Sequence, residues 1–175
     1  MKLRHSAGLT ILLAASAALA ACDQQPSPPS GSAATTSEAA PAAADIPAGD
    51  ALPLMVVHKS PTCGCCGLWV EHMREAGFPV QVRDAHNVHP VKQRLGVPYG
   101  KGSCHTTEVG GYVIEGHVPA EDIKRLLAQR LDVRGLVLPG MPLGSPGMEM
   151  PDGQTQPYTV EVVSRDGTTE AFARH

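Results

Sequence analysis

Three cysteines occupy four consecutive positions in Cys63-Gly64-Cys65-Cys66, and no ordinary hydrophobic core requires that spacing. The preceding segment, LPLMVVHKS, contains a run of large apolar residues and predicts a buried strand. The following segment, CGLWVEHMREAG, predicts a helix that ends at Gly77. The cysteines are therefore expected where a strand meets a helix N-terminus, whose unpaired N–H groups and dipole favour thiolates and lower their pKa values.

Hydrophobic patterning predicts that strands and helices alternate along the next part of the chain. FPVQVRDA alternates as a strand does, NVHPVKQRLG forms a short helix, and HTTEVGGYVIEGHV forms two strands joined at Gly110-Gly111. VPAEDIKRLLAQ then predicts a third helix, with acids in its first turn and bases later. The resulting order, β-α-β-α-β-β-α, is that of a thioredoxin-like α/β fold.

Two further segments extend this core. The Met-containing loop LPGMPLGSPGMEMPDG is too rich in proline and glycine to form a helix. YTVEVVSRDGTTEAFA predicts a C-terminal β-hairpin that turns at Asp166-Gly167. On the first helix, the predicted buried face consists of Leu68, Trp69, Met73 and Ala76.

A fourth cysteine, Cys104, stands where the third strand is predicted to begin. In a thioredoxin-like fold this strand start faces the C-x-x-C loop and usually carries a cis-proline, but no proline is adjacent to Cys104 here. The fold therefore predicts that Cys104, and His105 beside it, approach the first three cysteines. His58 and His117, at the ends of their strands, could reach the same edge, but the preferred prediction is that they are exposed polar residues rather than ligands.

Three interpretations of these thiols remain open. A structural disulfide, which is common in exported proteins, can join Cys63 to Cys66 or Cys104 to one partner, but it does not explain the adjacent Cys65. Four thiolates around one Zn²⁺ leave a net charge of about -2, whereas several Cu⁺ ions bring the cluster near neutrality, which is easier to bury.

The Met-containing loop carries Met148 and Met150, as well as Met141. Such thioethers either fill gaps in a core or bind a soft ion such as Cu(I).

The N-terminal third predicts export. Residues 1–21 read as a signal peptide with an early positive charge and an apolar stretch, and LAAC at its end resembles the bacterial lipobox, with Cys22 as the lipidated residue. Residues 23–51 are rich in Pro, Ala and Ser and predict a disordered linker, which leaves residues 52–175 as the folded domain. These features predict a periplasmic lipoprotein anchored to a bacterial membrane. A formal net charge of -3 without a Lys/Arg cluster argues against nucleic-acid binding.

The combination of CGCC, GSCHTTEVGGYVIEGHVPAEDIKRLL and GLVLPGMPLGSPGME closely resembles the CopG-like periplasmic copper-resistance proteins. That resemblance implies a thioredoxin-like fold with a multinuclear, cysteine-bridged Cu(I) site. Carried over by motif, the metal-binding residues are Cys63, Cys65, Cys66 and Cys104, with His105, Met148 and Met150 carried over less firmly.

The function that the resemblance implies is copper resistance or homeostasis, with interconversion of Cu(I) and Cu(II) in the same site. The implied partners are copper ions and other periplasmic copper-handling proteins. The alternative is a thioredoxin-like thiol-disulfide oxidoreductase, in which Cys63 attacks and Cys66 resolves. The sequence leaves open whether the site turns over as an enzyme.

Overall fold

The computed structural model of the protein describes residues 51–175. The predicted signal peptide, the predicted lipidation site at Cys22 and all but the last residue of the predicted linker lie outside the described residues. Within them, no helix is long and apolar enough to span a membrane.

Three helices and seven strands make up the described region. The helices are α1 (Gly64–Glu75), α2 (His89–Leu95) and α3 (Ala120–Gln129). The strands are β1 (Met55–Lys59), β2 (Val80–Asp84), β3 (Thr106–Val109), β4 (Tyr112–Glu115), β5 (Gly135–Val137), β6 (Thr159–Val163) and β7 (Thr169–Arg174).

All seven strands form one sheet, in the order β2-β1-β3-β4-β5-β6-β7. β1 runs parallel to β2 and β4 runs parallel to β5, and the other neighbouring pairs are antiparallel. The first four strands with α1, α2 and α3 follow the predicted order β-α-β-α-β-β-α. The mixed α/β class is confirmed, and the arrangement is compatible with a thioredoxin-like core extended by three strands.

The core is built from α1, α3 and the central strands. α1 contributes Trp69, Val70 and Met73, and α3 contributes Ile123 and Leu126, all of them buried. The predicted inner face of α1 was wrong at one position, because Leu68 is 60% exposed. Cys66 and Val70 turn inward on this helix instead.

β5 was not predicted. It contains only three residues, Gly135–Val137, and directly precedes the loop rich in proline and glycine. Its extended conformation comes from pairing with β4 on one side and β6 on the other. Such a strand depends on its neighbours rather than on its own hydrophobic pattern. The predicted C-terminal hairpin of β6 and β7 is present.

A buried ion pair connects α2 to the middle of the sheet. The carboxylate of Glu115, at the end of β4, is fully buried and accepts a hydrogen bond from Lys92 of α2 at 2.5 Å. It also accepts hydrogen bonds from the hydroxyl of Thr106 at 2.6 Å and the backbone N–H of Ser103 at 2.5 Å. These donors compensate the loss of hydration that a buried carboxylate suffers.

We expect Lys92→Met to lower the free energy of unfolding by about 3–5 kcal/mol, because it leaves the Glu115 carboxylate buried without its cation. Urea unfolding of both proteins measures this difference. The matched control is Arg74→Met, which removes an exposed ion pair with Glu71 and should cost less than about 1 kcal/mol. Equal losses of unfolding free energy in the two variants would show that the buried ion pair contributes no more to stability than the exposed one.

Candidate metal centre

Four sulfur atoms meet at the N-terminus of α1. The Sγ atoms of Cys63, Cys65, Cys66 and Cys104 all lie within 4.8 Å of one another. Cys63 and Cys66 are joined by a disulfide, whereas Cys65 and Cys104 are free. The structure therefore brings the four predicted cysteines together, with two of them in the oxidised form.

The N-terminus of α1 carries no competing cap. Cys63 is the N-cap residue and its side chain makes no capping hydrogen bond, and the first turn contains no acidic residue. The N–H groups of this turn and the positive end of the dipole therefore face the sulfur atoms rather than a carboxylate.

Cys104 is held in place through its neighbours. The Glu115 carboxylate accepts the N–H of Ser103, and the Ser103 hydroxyl donates to the carbonyl of Gly140 at 2.5 Å. Burial, together with the nearby charge of Cys65, raises the pKa of the Cys104 thiol to about 11. This thiol is therefore protonated at neutral pH without metal, and metal binding must release its proton.

His117 contacts Cys104 directly. Its Nε2 atom lies 2.9 Å from the Cys104 sulfur, and its Nδ1 lies 2.8 Å from the carbonyl oxygen of Pro146. A carbonyl only accepts, so Nδ1 carries the proton and, in the neutral ring, Nε2 presents its lone pair to the sulfur. The prediction that His117 is exposed was wrong, because the residue is fully buried.

Gly116 makes this approach possible. Its φ of +79° lies in the left-handed region, and a Cβ atom there would come within 2.6 Å of the Ser103 side chain and of the Leu138 carbonyl oxygen. Because glycine has no side chain, the end of β4 packs directly against the segment that leads into Cys104. His117 consequently turns back onto the Cys104 sulfur.

His105 completes a second group of ligand atoms. Its Nδ1 lies 3.3 Å from the Cys104 sulfur, and its ring centroid lies 5.0 Å from that of His117 and 4.4 Å from that of Trp69. The side chain is fully buried, and its Nε2 has no hydrogen-bond partner among the described residues. Burial, with smaller effects from His117 and Lys92, holds the pKa of His105 well below its usual value.

The loop with the methionines packs against α1 through its backbone. A Cβ atom on Gly147, whose φ is +80°, would come within 2.7 Å of the Cys65 carbonyl oxygen and the Trp69 nitrogen. On the same loop, Met148 is half-buried and Met150 is 39% exposed. Their predicted role as ligands stays a prediction.

His58 was also predicted to be exposed, and this was wrong. It is 6% exposed, and its Nε2 lies 2.9 Å from Oε1 of Glu108 on the neighbouring strand β3. That carboxylate explains its burial without any metal.

The sequence contained a signal for the position of His117, namely the pairing register of the β3–β4 hairpin. In the β3–β4 hairpin Val109 lies opposite Tyr112 and Thr106 lies opposite Glu115. Counting outward from the two-residue turn at Gly110-Gly111 places residue 104 opposite residue 117. The hydrogen bond from the Gly116 N–H to the His105 carbonyl, at 3.1 Å, shows that the pairing continues to residues 105 and 116, one position before that pair. Reading the hairpin in this way would have paired Cys104 with His117.

The comparisons with known proteins cover most of the described region. Residues 101–148 match the family described as "Protein of unknown function, DUF411". Two solved structures of the copper resistance protein CopG, forms 1 and 2, are 44% and 43% identical, with TM-scores of 0.66 and 0.67. Each match covers 71% of this chain and 98% of the solved chain. No curated protein matched the sequence. Since the solved chains consist almost wholly of the matched part, that part is expected to fold by itself.

We expect the metal-free protein to lose stability as the pH falls below about 6.5. Burial lowers the pKa values of both His105 and His117, whereas in the unfolded chain they titrate near 6.5. Between the folded and unfolded pKa values the unfolded state binds more protons, so the free energy of unfolding falls by up to about 1.4 kcal/mol per histidine and pH unit.

Urea unfolding between pH 7.5 and 5.5 measures this slope. His105→Gln should reduce it, and the control His86→Gln, at an exposed position, should leave it unchanged. Identical slopes in the wild type and His105→Gln would contradict the account.

Proposed function

The chain belongs to the family of the copper resistance protein CopG, and on that premise we propose that it binds copper as part of a copper-resistance or copper-homeostasis system. The observation that carries this proposal is the convergence of four cysteine sulfurs within 4.8 Å at an uncapped helix N-terminus. Thiolates are soft ligands that select Cu(I) over hard ions.

The reduced site holds Cu(I) in a cysteine-bridged, multinuclear arrangement. Four thiolates carry four negative charges, and several Cu⁺ ions bring the total near zero, as burial of the group requires. The sulfurs come from Cys63 at the N-cap of α1, from Cys65 and Cys66 in its first turn, and from Cys104 just before β3. His105, Met148 and Met150 are proposed as further ligands at its margin.

The disulfide supports a redox role for the same site. When the thiolates of Cys63 and Cys66 form their S–S bond, two electrons are released, and two Cu²⁺ ions that take one electron each become two Cu⁺ ions. The reverse reaction returns both electrons to the sulfurs. The chain thereby interconverts Cu(I) and Cu(II) with its own cysteines as the electron donor and acceptor.

The proposed location is the periplasm, with the folded domain tethered to a bacterial membrane through lipid on Cys22. The reasons are the apolar leader, the LAAC sequence and the Pro/Ala/Ser-rich segment that follows. Copper ions and other periplasmic copper-handling proteins are the proposed partners.

A thiol-disulfide oxidoreductase is the second candidate, and the Cys63–Cys66 disulfide at a helix N-terminus favours it. The free Cys65 between the two and the lack of a proline next to Cys104 argue against it. The two functions differ in what the metal-free protein does to a disulfide substrate.

We expect the reduced chain from residue 52 onward to bind several Cu(I) ions tightly under anaerobic conditions. Titration against a chromophoric Cu(I) chelator, with copper counted by elemental analysis, measures the stoichiometry. Cys65→Ser should lose at least one ion, because it removes a bridging sulfur. The control Thr62→Ser, at the exposed position before Cys63, should bind as the wild type does.

No bound copper in the reduced wild type, together with turnover in an insulin-reduction assay, would replace the copper proposal by the oxidoreductase. A copper-binding protein that leaves insulin unreduced would remove the alternative.

Lipidation is tested on the full chain expressed in a Gram-negative bacterium. We expect metabolic labelling with an alkyne fatty acid to mark the wild type and not Cys22→Ser, and we expect only the wild type to sediment with membranes. Equal labelling of both proteins would contradict the assignment of Cys22.

A further inference from the structure

We propose that the chain has a second Cu(I) site, formed by Cys104, His105 and His117, which holds the ion when Cys63 and Cys66 are joined in their disulfide. This inference rests on the proposed function and extends it to the oxidised state. The three residues offer one sulfur and two imidazole nitrogens, all within 4.8 Å of one another.

The first argument is that this group is intact while the disulfide is present. Forming the Cys63–Cys66 bond removes two of the four thiolates, so the four-sulfur site no longer exists in the oxidised chain. In that same state the Cys104 sulfur lies 2.9 Å from Nε2 of His117 and 3.3 Å from Nδ1 of His105. The oxidised protein therefore retains a three-ligand group after losing the cluster.

The second argument is that His117 is already oriented as a ligand. Donation from Nδ1 to the Pro146 carbonyl sets the tautomer and holds the ring, and it leaves Nε2 unprotonated toward the sulfur. Histidines that bind metals commonly donate their other ring N–H to a backbone carbonyl in this way. Pro146 belongs to the loop with the methionines, so this loop contributes to the site through its backbone.

The third argument is charge. One Cu⁺ ion, one thiolate and two neutral imidazoles sum to zero, which suits a site whose two histidines are fully buried. Binding releases the thiol proton of Cys104 to solvent and leaves both rings neutral. A Cu²⁺ ion on the same ligands would leave one uncompensated positive charge, so the site favours the reduced ion.

The residues that surround the two histidine rings also favour Cu(I). Trp69 packs against the His105 ring and donates its indole N–H to the Val118 carbonyl at 2.9 Å, next to His117. Nε2 of His105 has no hydrogen-bond partner in the part of the chain that the structure describes. Both rings are thus shielded from water, and no carboxylate among residues 51–175 is hydrogen-bonded to either ring.

The test compares two oxidation states of the chain from residue 52 onward, which contains four cysteines because Cys22 is excluded. Alkylation and mass measurement verify the states, since the disulfide form accepts two labels and the reduced form four. Cu(I) affinity is measured anaerobically by competition with a chelator, and X-ray absorption reports whether nitrogen or sulfur surrounds the copper.

We expect the disulfide form to bind one Cu(I) ion with a mixed nitrogen and sulfur environment, and the reduced form to bind several ions mainly through sulfur. His117→Gln should weaken Cu(I) binding by the disulfide form by at least about tenfold. Cys65→Ser should instead lower the number of Cu(I) ions that the reduced form binds. His58→Gln, at a buried histidine outside the site, is the control.

A disulfide form that binds no Cu(I), or binds it through sulfur alone in the wild type, would overturn the second site, and this spectrum needs no variant to fold. If the reduced form still binds several ions, the proposed function survives that result. If the reduced form binds none, the proposed function itself fails.

Discussion

The carboxylate of Glu115 is the interaction on which the rest of the site depends. It ties together the end of β4, α2 through Lys92, and the segment before Cys104 through the N–H of Ser103. Because this carboxylate is buried away from water, it has to keep these donors. Each lost hydrogen bond would leave negative charge uncompensated in an apolar interior. The start of β3 is therefore fixed relative to the end of β4 and to α2.

Backbone contacts, more than side-chain size, set the spacing of the sulfur and nitrogen atoms. Gly116 lets the end of β4 approach Ser103, and Gly147 lets the loop lie on the first turns of α1. Any side chain at either position would meet atoms closer than 3 Å, so the segments would have to separate. The Pro146 carbonyl reaches His117 only because this packing is so close.

Features with a local signal could be predicted from the sequence. The hairpins at Gly110-Gly111 and Asp166-Gly167 carry turn dipeptides, and α1 and α3 carry helical periodicity, so these elements were found. β5 has no such signal, since three residues form a strand only through their partners. The burial of His117 depends on a carbonyl 29 positions away, and a residue-by-residue reading had no access to that contact.

The predicted set of cysteines illustrates the same limit. Spacing identified which thiols converge and gave Cys63–Cys66 as one possible disulfide, but whether this bond forms depends on the directions of the sulfurs at the start of the helix. Cys63 and Cys66 lie nearly one turn apart, with Cα atoms separated by 5.4 Å, whereas the Cys65 sulfur lies 3.5 Å from that of Cys63 and stays free.

The position of Cys104 has a consequence for how an ion travels. Its sulfur belongs both to the four-sulfur group and to the group with His105 and His117. Under the proposed function, a cation that moves between the two groups exchanges its other ligands one at a time while this sulfur stays attached. In such an associative transfer the Cu(I) ion is never released into the solvent, where it would react with oxygen or peroxide. The Cys104 thiolate would then remain bound to the ion throughout the transfer.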